Sequence, residues 1–170
     1  FVTRWKLSTA AVALVAVCLW GCGDPSPDQL FAAVEAQARQ AATDSTAWQG
    51  AVDLAEQFVA AHGAHARAPE ALRTLAMLIQ QRGDMSGAIA RYEQLLRDYP
   101  DSDVADDAQF MIGFICEDYL GDFERARQAY KLVVERYPGS ELADNARYLL
   151  PNVGRPPEEW VIFQKGTETP

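Results

Sequence analysis

The sequence carries one pattern twice, as GDMSGAIARYEQLLRDYPDSDVADDA at residues 83–108 and as GDFERARQAYKLVVERYPGSELADNA at residues 121–146. Ten of the 26 aligned positions are identical, with no gap and an offset of 38 residues. A weaker third copy lies upstream, where residues 55–71 align with residues 92–108 at an offset of 37. Similarity at a fixed period of about 20–50 residues is typical of repeat proteins. The sequence therefore predicts a stack of similar units.

Each unit is predicted to contain two helices joined by a tight turn. In the last unit, apolar side chains recur at spacings of three and four, which places them on one face of a helix. They are Phe123, Ala126, Tyr130, Val133, Val134 and Tyr137. Pro138 and Gly139 end this helix, and Gly121 supplies the left-handed backbone that ends the helix before it. The repeating element is therefore predicted to be a helical hairpin.

Helix starts are predicted from short polar side chains and from acidic residues in the first turn. Ser140 is expected to be an N-cap, with Glu141 placed where the helix dipole favours negative charge. Ser102, Asp103 and Asp106 repeat that arrangement one unit earlier. We therefore expect two consecutive units to begin in the same way.

The pattern predicts an all-α fold, an α-α superhelix of about three helical hairpins closed by a capping helix that covers the apolar end of the stack. The predicted helices span residues 27–42, 46–62, 69–82, 84–99, 103–119, 122–137 and 141–149.

The unit resembles the tetratricopeptide repeat. The resemblance rests on a small residue in the first helix, a Gly-Asp turn, an alanine and an aromatic residue in the second helix, and a closing proline. These positions are Ala76 and Gly113, Gly83 and Gly121, Ala88 and Ala126, Tyr92 and Tyr130, and Pro100 and Pro138. The unit is longer than the usual 34 residues, and its Tyr-Pro-x-Ser extension is similar to the variant found in bacterial envelope lipoproteins. The resemblance implies about three tetratricopeptide-like hairpins that bind other proteins.

The N-terminal segment resembles the export leader of a bacterial lipoprotein. Arg4 and Lys6 precede an apolar run of eleven residues at 10–20, which is too short to span a membrane and fits a signal peptide. LWGC at residues 19–22 resembles a lipobox, which implies cleavage before Cys22 and lipid attachment to it. The residue after this cysteine is not Asp, so the resemblance implies an outer-membrane location facing the periplasm. An ordinary secretory leader with an incidental cysteine is the alternative.

Four segments are expected along the chain: a signal peptide at 1–21, a lipidated cysteine and tether at 22–28, a repeat domain at 29–150 and a tail at 151–170. The repeats are expected at about 29–66, 67–103 and 104–140, followed by a cap helix at 141–150. Within the tail, residues 157–165 (PEEWVIFQK) are predicted to form a short helix with Trp160 on its apolar side. This helix either folds back onto the last hairpin or serves as a docking peptide.

Composition and charge argue against several classes of function. The formal net charge is −9, and removal of residues 1–21 leaves 13 basic and 24 acidic residues, or −11. Such a surface repels phosphate backbones, so no nucleic-acid partner is expected. The sequence contains no phosphate-binding glycine loop, nucleophile elbow, paired-cysteine zinc motif or His-Glu-x-x-His helix. We expect neither enzymatic activity nor a cofactor.

The other chemically reactive residues favour structural roles. His62 and His65 provide two metal ligands with no clear third, so a solvated loop is expected instead of a zinc site. Cys116 lies among apolar residues of a helix and is expected to be a buried, inert thiol. The acidic residues at 103–107 and 117–118 lack the spacing of a calcium loop and are expected to form a solvated face.

The resemblance also implies a peptide-binding groove on the concave surface, which the first helices of the hairpins line. The family's groove positions correspond to Arg73, Met77 and Gln80 in one unit and to Asp107, Phe110, Phe114 and Glu117 in the next. Phe110 and Phe114 stand on one helix face, and they either line the groove or pack against the neighbouring hairpin. Aromatic side chains bordered by carboxylates would suit a peptide with apolar anchors and a basic flank.

The expected partners are therefore other envelope proteins or peptides, and membrane contact is expected through the lipid anchor alone. The alternatives are a structural lipoprotein that self-associates and an accessory subunit that positions a cell-wall enzyme. The sequence leaves the oligomeric state open.

Overall fold

A computed structural model of the chain describes residues 24–160, and all regular structure within that range is helical. The seven α-helices are α1 (Pro27–Ala41), α2 (Trp48–Ala61), α3 (Ala68–Gln81), α4 (Met85–Asp98), α5 (Ala105–Asp118), α6 (Phe123–Arg136) and α7 (Glu141–Leu149). Short 3₁₀ helices lie at Ser45–Ala47 and Pro157–Glu159. The all-α prediction is confirmed. The predicted leader at 1–21 and lipidation site at Cys22 lie outside the described residues.

The helices form three antiparallel hairpins, α1/α2, α3/α4 and α5/α6, and α7 packs against both helices of the last one. The second helix of each hairpin also packs on the first helix of the next, so one apolar core runs through the whole stack. Of the stripe predicted for α6, Ala126, Tyr130 and Val133 are buried and Val134 and Tyr137 are half-buried, but Phe123 is exposed. The helices need their neighbours to bury such stripes. The predicted superhelix of about three hairpins with a capping helix is confirmed.

Two tyrosines mark the same place in successive hairpins. Tyr92 of α4 and Tyr130 of α6 are fully buried against the first helix of their own hairpin. The Tyr130 ring lies so close to Gly113 that a Cβ atom at that position would be 2.6 Å from Tyr130 Cε1. Gly113 therefore permits the close approach of α5 and α6, and Ala76 stands at the corresponding position of α3. Other alanines of the repeat signature, Ala88 and Ala126, are completely buried between helices.

The turns within the hairpins follow the prediction. Gly83 and Gly121 adopt positive φ angles of 83° and 64°, a region that residues with a Cβ rarely occupy. The aspartates that follow them cap the next helix, because Asp84 accepts from the Gly87 N–H at 2.8 Å and Asp122 accepts from the Arg125 N–H at 3.1 Å.

The predicted helix starts are half correct. Ser140 caps α7 and accepts a hydrogen bond from the Leu142 N–H at 3.0 Å. The prediction for Ser102 and Asp103 is wrong, because α5 begins at Ala105 and no side chain caps it. Val104, not Ser102, takes the N-cap position of α5, although Ser102 and Ser140 make equivalent backbone turn hydrogen bonds to Tyr99 and Tyr137. The nearby Asp106 carboxylate accepts a hydrogen bond from Ser140 Oγ and so joins α5 to the start of α7.

The Tyr-Pro sequence ties each repeat to the one before it. Tyr99 donates its hydroxyl proton to the Gly63 carbonyl oxygen at 2.7 Å. Tyr137 donates in the same way to the Pro100 carbonyl oxygen at 3.4 Å. Pro100 and Pro138 each follow the end of a helix, where a missing N–H costs no helical hydrogen bond.

The second helices are joined by ion pairs on their exposed side. Arg91 of α4 contacts Glu56 of α2 at 3.0 Å, and Arg125 of α6 contacts Glu93 of α4 at 2.8 Å. Exposed ion pairs of this kind contribute at most about 1 kcal/mol each. The buried core, not these pairs, therefore holds the stack together.

The chain closes the end of the stack after α7. Asn152 and Val153 are buried there, and Arg127 of α6 donates to the Val153 carbonyl oxygen at 2.9 Å. The following Gly154 N–H donates to Glu117 Oε1 at 3.2 Å. Residues 151–154 therefore cover the last hairpin. The helix predicted at 157–165 begins as the 3₁₀ turn, and its later residues lie outside the described range.

Candidate functional site

A cleft of about 460 Å³ opens between the first helices of the second and third hairpins, α3 and α5. We call it the α3–α5 cleft. Its lining residues are Arg73, Met77, Gln80, Gln81, Gly83, Met85, Tyr92, Asp107, Met111 and Tyr119. Its volume is in the range of sites that bind small ligands or a few side chains of a partner.

Four of the seven predicted groove residues line this cleft: Arg73, Met77, Gln80 and Asp107. The remaining three lie elsewhere. Phe110 packs on Tyr130 of its own hairpin, with ring centroids 5.3 Å apart. Phe114 packs edge-to-face on Tyr119 at 5.8 Å, and Glu117 accepts the hydrogen bond from the C-terminal segment. For Phe110, the structure favours the packing alternative over the groove alternative.

Polar groups mark one end of the α3–α5 cleft. Arg73 Nη1 lies 3.4 Å from Asp107 Oδ2, so an ion pair joins α3 to α5 across the floor. The pair is only about one-third exposed, which strengthens it relative to a fully solvated pair. The Tyr92 hydroxyl lies 3.5 Å from Gln80 Oε1 and brings a further polar group to the wall. The charges of Arg73 and Asp107 cancel, so this end of the cleft is neutral. A ligand would be recognised there by its shape and its hydrogen bonds and not by its net charge.

Burial raises the pKa of the Tyr92 hydroxyl, and the negative charge of Asp107 raises it further, against an opposite effect of Arg73. Burial likewise raises the pKa of the Tyr130 hydroxyl, together with the neighbouring Glu117 carboxylate. Both hydroxyls therefore stay protonated at neutral pH and act as hydrogen-bond donors. Because their pKa values are raised, neither hydroxyl can act as a general base at neutral pH.

Thioether side chains make up the apolar part of the cleft. The chain contains three methionines, and all of them, Met77, Met85 and Met111, line this one space. Met77 is 41% exposed and Tyr119 is 53% exposed, so apolar surface is offered to solvent at the mouth. Methionine is flexible and polarisable and adapts to apolar partners of different shapes. Met85, Met111 and Tyr119 were not among the predicted groove residues, although all the methionines of the sequence lie within 35 residues of one another, which could have indicated a shared site.

A second depression of about 280 Å³ lies on the other side of α3, against α1. It shares Arg73, Met77 and Gln81 with the α3–α5 cleft, so the exposed side of α3 is a ridge between two hollows. Glu35 and Arg39 of α1 form its far wall. The concave face therefore extends over three successive first helices.

The other predicted residues take structural positions. His65 lies 3.6 Å from Asp28 and packs edge-on against Phe58, which His62 also contacts. The expected solvated loop is thus half-buried against the first hairpin. Cys116 is buried as predicted, and burial raises the pKa of its thiol.

Residues 24–160 contain no group of three or more histidine, cysteine or acidic residues close enough to hold a metal ion. Over the same range, no helix is both long and apolar enough to cross a bilayer.

Tandem hairpins with an open concave face define a class, the helical-repeat scaffolds that present a curved surface to other proteins. Comparison with known protein families makes the assignment more specific. Residues 70–102 and 107–140 match the tetratricopeptide repeat, and these two segments contain α4 and α6 in full and all but the first two residues of α3 and α5. The comparison with curated proteins found no match.

The two matched repeats are those that form the walls of the α3–α5 cleft. Tetratricopeptide repeats indicate an interaction scaffold with protein partners. The first hairpin, α1/α2, lies outside the matched segments but packs in the same stack.

Proposed function

We propose that the chain is a non-enzymatic scaffold of the bacterial envelope, anchored through a lipid on Cys22, that holds a segment of another envelope protein in the α3–α5 cleft. The observation that supports this most strongly is the cleft itself. It is apolar at its mouth, has a neutral polar end, and lies between two tetratricopeptide repeats.

The shape and chemistry of the cleft favour a peptide over a small polar metabolite. Met77 of α3 and the Tyr119 ring after α5 are exposed on the two sides of the cleft, where an apolar side chain would gain about 25 cal/mol for each Å² removed from water. Gln80 and Gln81 each present both a donor and an acceptor to a peptide backbone. Three successive first helices line the concave face, which gives room for an extended segment longer than the cleft alone.

The anchoring part of the proposal is supported by the lipobox-like LWGC at residues 19–22 and by the short distance along the chain to α1. Only a few residues separate Cys22 from the start of α1 at Pro27. A lipid there would keep the stack close to the membrane surface, and two or more acyl chains give stable anchoring.

A photocrosslinking amino acid placed at residue 77 tests the binding site. We expect adducts with one or a few envelope proteins, because this position is exposed at the cleft mouth. The matched control carries the same probe at Lys131, an exposed residue of α6 on the opposite side of the hairpin. Adducts at 77 should disappear when Met111→Asp is added. Equal adducts at both positions, or adducts at 77 that survive Met111→Asp, would reject the cleft as the binding site.

Metabolic labelling with palmitate tests the anchor. The wild-type chain should incorporate label and stay with membranes, and Cys22→Ser should lose both properties. The matched control is Cys18→Ser, which should keep the label. Incorporation that persists in Cys22→Ser would contradict the proposed anchor.

A further inference from the structure

The described part of the chain ends beside the concave face. The Trp160 ring lies against Tyr148 of α7, with centroids 5.9 Å apart, and its Nε1–H donates to the Arg155 carbonyl oxygen at 3.0 Å. Tyr148 aligns with Phe110 of α5 and with Arg73 of α3 at the repeat offsets of 38 and 37. Since Arg73 lines the α3–α5 cleft, the chain after Trp160 starts on the same side of the stack as that cleft.

The sequence that follows is suited to an apolar cleft. Val161, Ile162 and Phe163 come directly after Trp160, and Lys165 is the only basic residue beyond Arg155. We propose that this segment, residues 161–165, occupies the α3–α5 cleft of its own chain and competes there with the partner protein. This inference rests on the proposed function of the same cleft and names an occupant for it.

The segment after Trp160 is long enough to extend from α7 to the α3–α5 cleft. Packed helices lie about 8–10 Å apart, so α5, which forms the near wall of the cleft, is about one helix spacing from α7. An extended chain advances about 3.3 Å per residue. Phe163, the third residue after Trp160, can therefore travel about 10 Å and reach α5, and the whole segment 161–165 can extend about 16 Å, which spans α5 to the cleft on its far side.

The chemistry of the two surfaces is complementary. The exposed parts of Met77 and Tyr119 offer apolar contact area to the three apolar residues. Methionines adapt to both a branched and an aromatic side chain, so either Ile162 or Phe163 can be seated between them. Lys165 carries the charge opposite to that of Asp107 and Asp118, which lie at the two ends of α5. An exposed charged pair with either carboxylate would fix register more than affinity.

Because residues 161–165 belong to the same chain as the cleft, they compete with a partner at a high local concentration. A short linker holds the segment at an effective concentration of about millimolar. A partner must displace it, so weak and non-specific apolar segments are excluded from the cleft. Apolar surface at the cleft mouth would also be protected while no partner is bound.

Methyl NMR of methionine tests the proposal directly. Because every methionine in the sequence lines the cleft, the three ¹³C-methyl signals report on this space, and Met85 and Met111 do not line the depression against α1. The full chain in detergent is compared with Phe163→Asp and with the control Thr167→Asp, which adds the same charge two residues after the segment. We expect Phe163→Asp to move the methyl signals of Met77 and Met111 by more than a linewidth. Thr167→Asp should leave them in place.

Adding a synthetic peptide of residues 158–170 to the Phe163→Asp chain should return the signals towards their wild-type positions. Wild-type positions should also be unchanged by a hundredfold dilution, as expected for contact within one chain. Methionine signals that are identical in wild type and Phe163→Asp would overturn the proposal. Signals that move on dilution would also overturn it, because they would place the segment of a second copy in the cleft.

The same variants separate this inference from the proposed function. If Phe163→Asp leaves the methyl signals unchanged while crosslinks at residue 77 still form and still depend on Met111, the occupant is wrong and the binding site stands. If both experiments fail, the α3–α5 cleft is not a binding site.

Discussion

The α3–α5 cleft is open, whereas the equivalent space between α5 and α7 is filled by the chain itself. The walls correspond by position, since Met77 aligns with Phe114 and Gln80 aligns with Glu117. In the open cleft, Met77 is exposed and Gln80 is half-buried. In the filled space, Glu117 accepts a hydrogen bond from the Gly154 N–H at 3.2 Å.

The difference comes from the length of the first helix of each unit. α3 and α5 have 14 residues each, but α7 has 9. After Leu149 the chain turns, and Val153 enters the core where a further turn of helix would otherwise lie. Gly154 has a φ angle of 75°, and a Cβ there would lie 2.9 Å from the ring carbon Cγ of Phe123. A short helix with a tight turn therefore seals the end of the stack, and full-length helices leave a cleft between repeats.

Among substitutions that test the difference between the open cleft and the filled space, removal of a buried tyrosine is expected to lower the stability most. Tyr130→Ala and Tyr92→Ala should each lower the free energy of unfolding by about 3–5 kcal/mol, as other large aromatic deletions do. Tyr130→Ala should be the more damaging, because its cavity is enclosed, whereas Tyr92 lines the open cleft and water can enter. Urea denaturation followed by circular dichroism measures both. Tyr119→Ala, at an exposed site, is the control and should change stability by less than about 0.5 kcal/mol. Equal losses for Tyr130→Ala and Tyr119→Ala would contradict the comparison.

A smaller effect is expected from the apolar residue that fills the closed space. Val153→Ala should cost about 2 kcal/mol, since it removes two buried carbon groups worth about 0.8 kcal/mol each and leaves a small cavity. Met77→Ala, at the mouth of the open cleft, should cost less than about 0.5 kcal/mol. Thermal unfolding of both variants gives the difference. If Met77→Ala were the more destabilising, the cleft would be part of the core and not a free surface.

The smallest change in stability is expected from substitutions of Glu117 and Gln80, the aligned polar residues of the filled space and of the open cleft. Glu117→Gln should lower stability by about 0.5–1 kcal/mol, because the hydrogen bond from Gly154 loses its charged acceptor. Gln80→Glu, the reverse exchange in the open cleft, should be neutral within about 0.5 kcal/mol, because no backbone N–H of the described chain donates to that side chain. Amide hydrogen exchange at Gly154 provides a local readout, and it should accelerate in Glu117→Gln. Unchanged exchange would show that the hydrogen bond does not hold the segment.

Sequence periodicity was enough to predict the helices and their stacking. The three-and-four spacing of apolar residues determines which face of each helix is buried, and the Gly-Asp turns and Tyr-Pro ends determine where each helix stops. The predicted bounds agree with the structure to within two residues. The cap predicted at Ser102 is wrong because α5 begins three residues later, at Ala105, although the backbone turn hydrogen bonds at Ser102 match those at Ser140.

The site was predicted only in part. Arg73, Met77, Gln80 and Asp107 line the cleft, at positions that the resemblance to the repeat family implied. Phe110 does not, because a spacing of four identifies a shared helix face without showing which neighbour covers it. Here Tyr130 of the same hairpin does so. Glu117 is held by a segment that follows the last helix, a contact between distant residues that no local pattern predicts.

The central claim, that a partner binds between α3 and α5 and not between α5 and α7, is tested by one pair of substitutions at equivalent positions. Met77→Asp and Phe114→Asp place the same charge one repeat apart, and binding of the crosslinked partner to each purified variant is measured by titration. The account predicts at least a tenfold loss of affinity for Met77→Asp, with Phe114→Asp close to wild type. The opposite order, or equal losses in both variants, would contradict it.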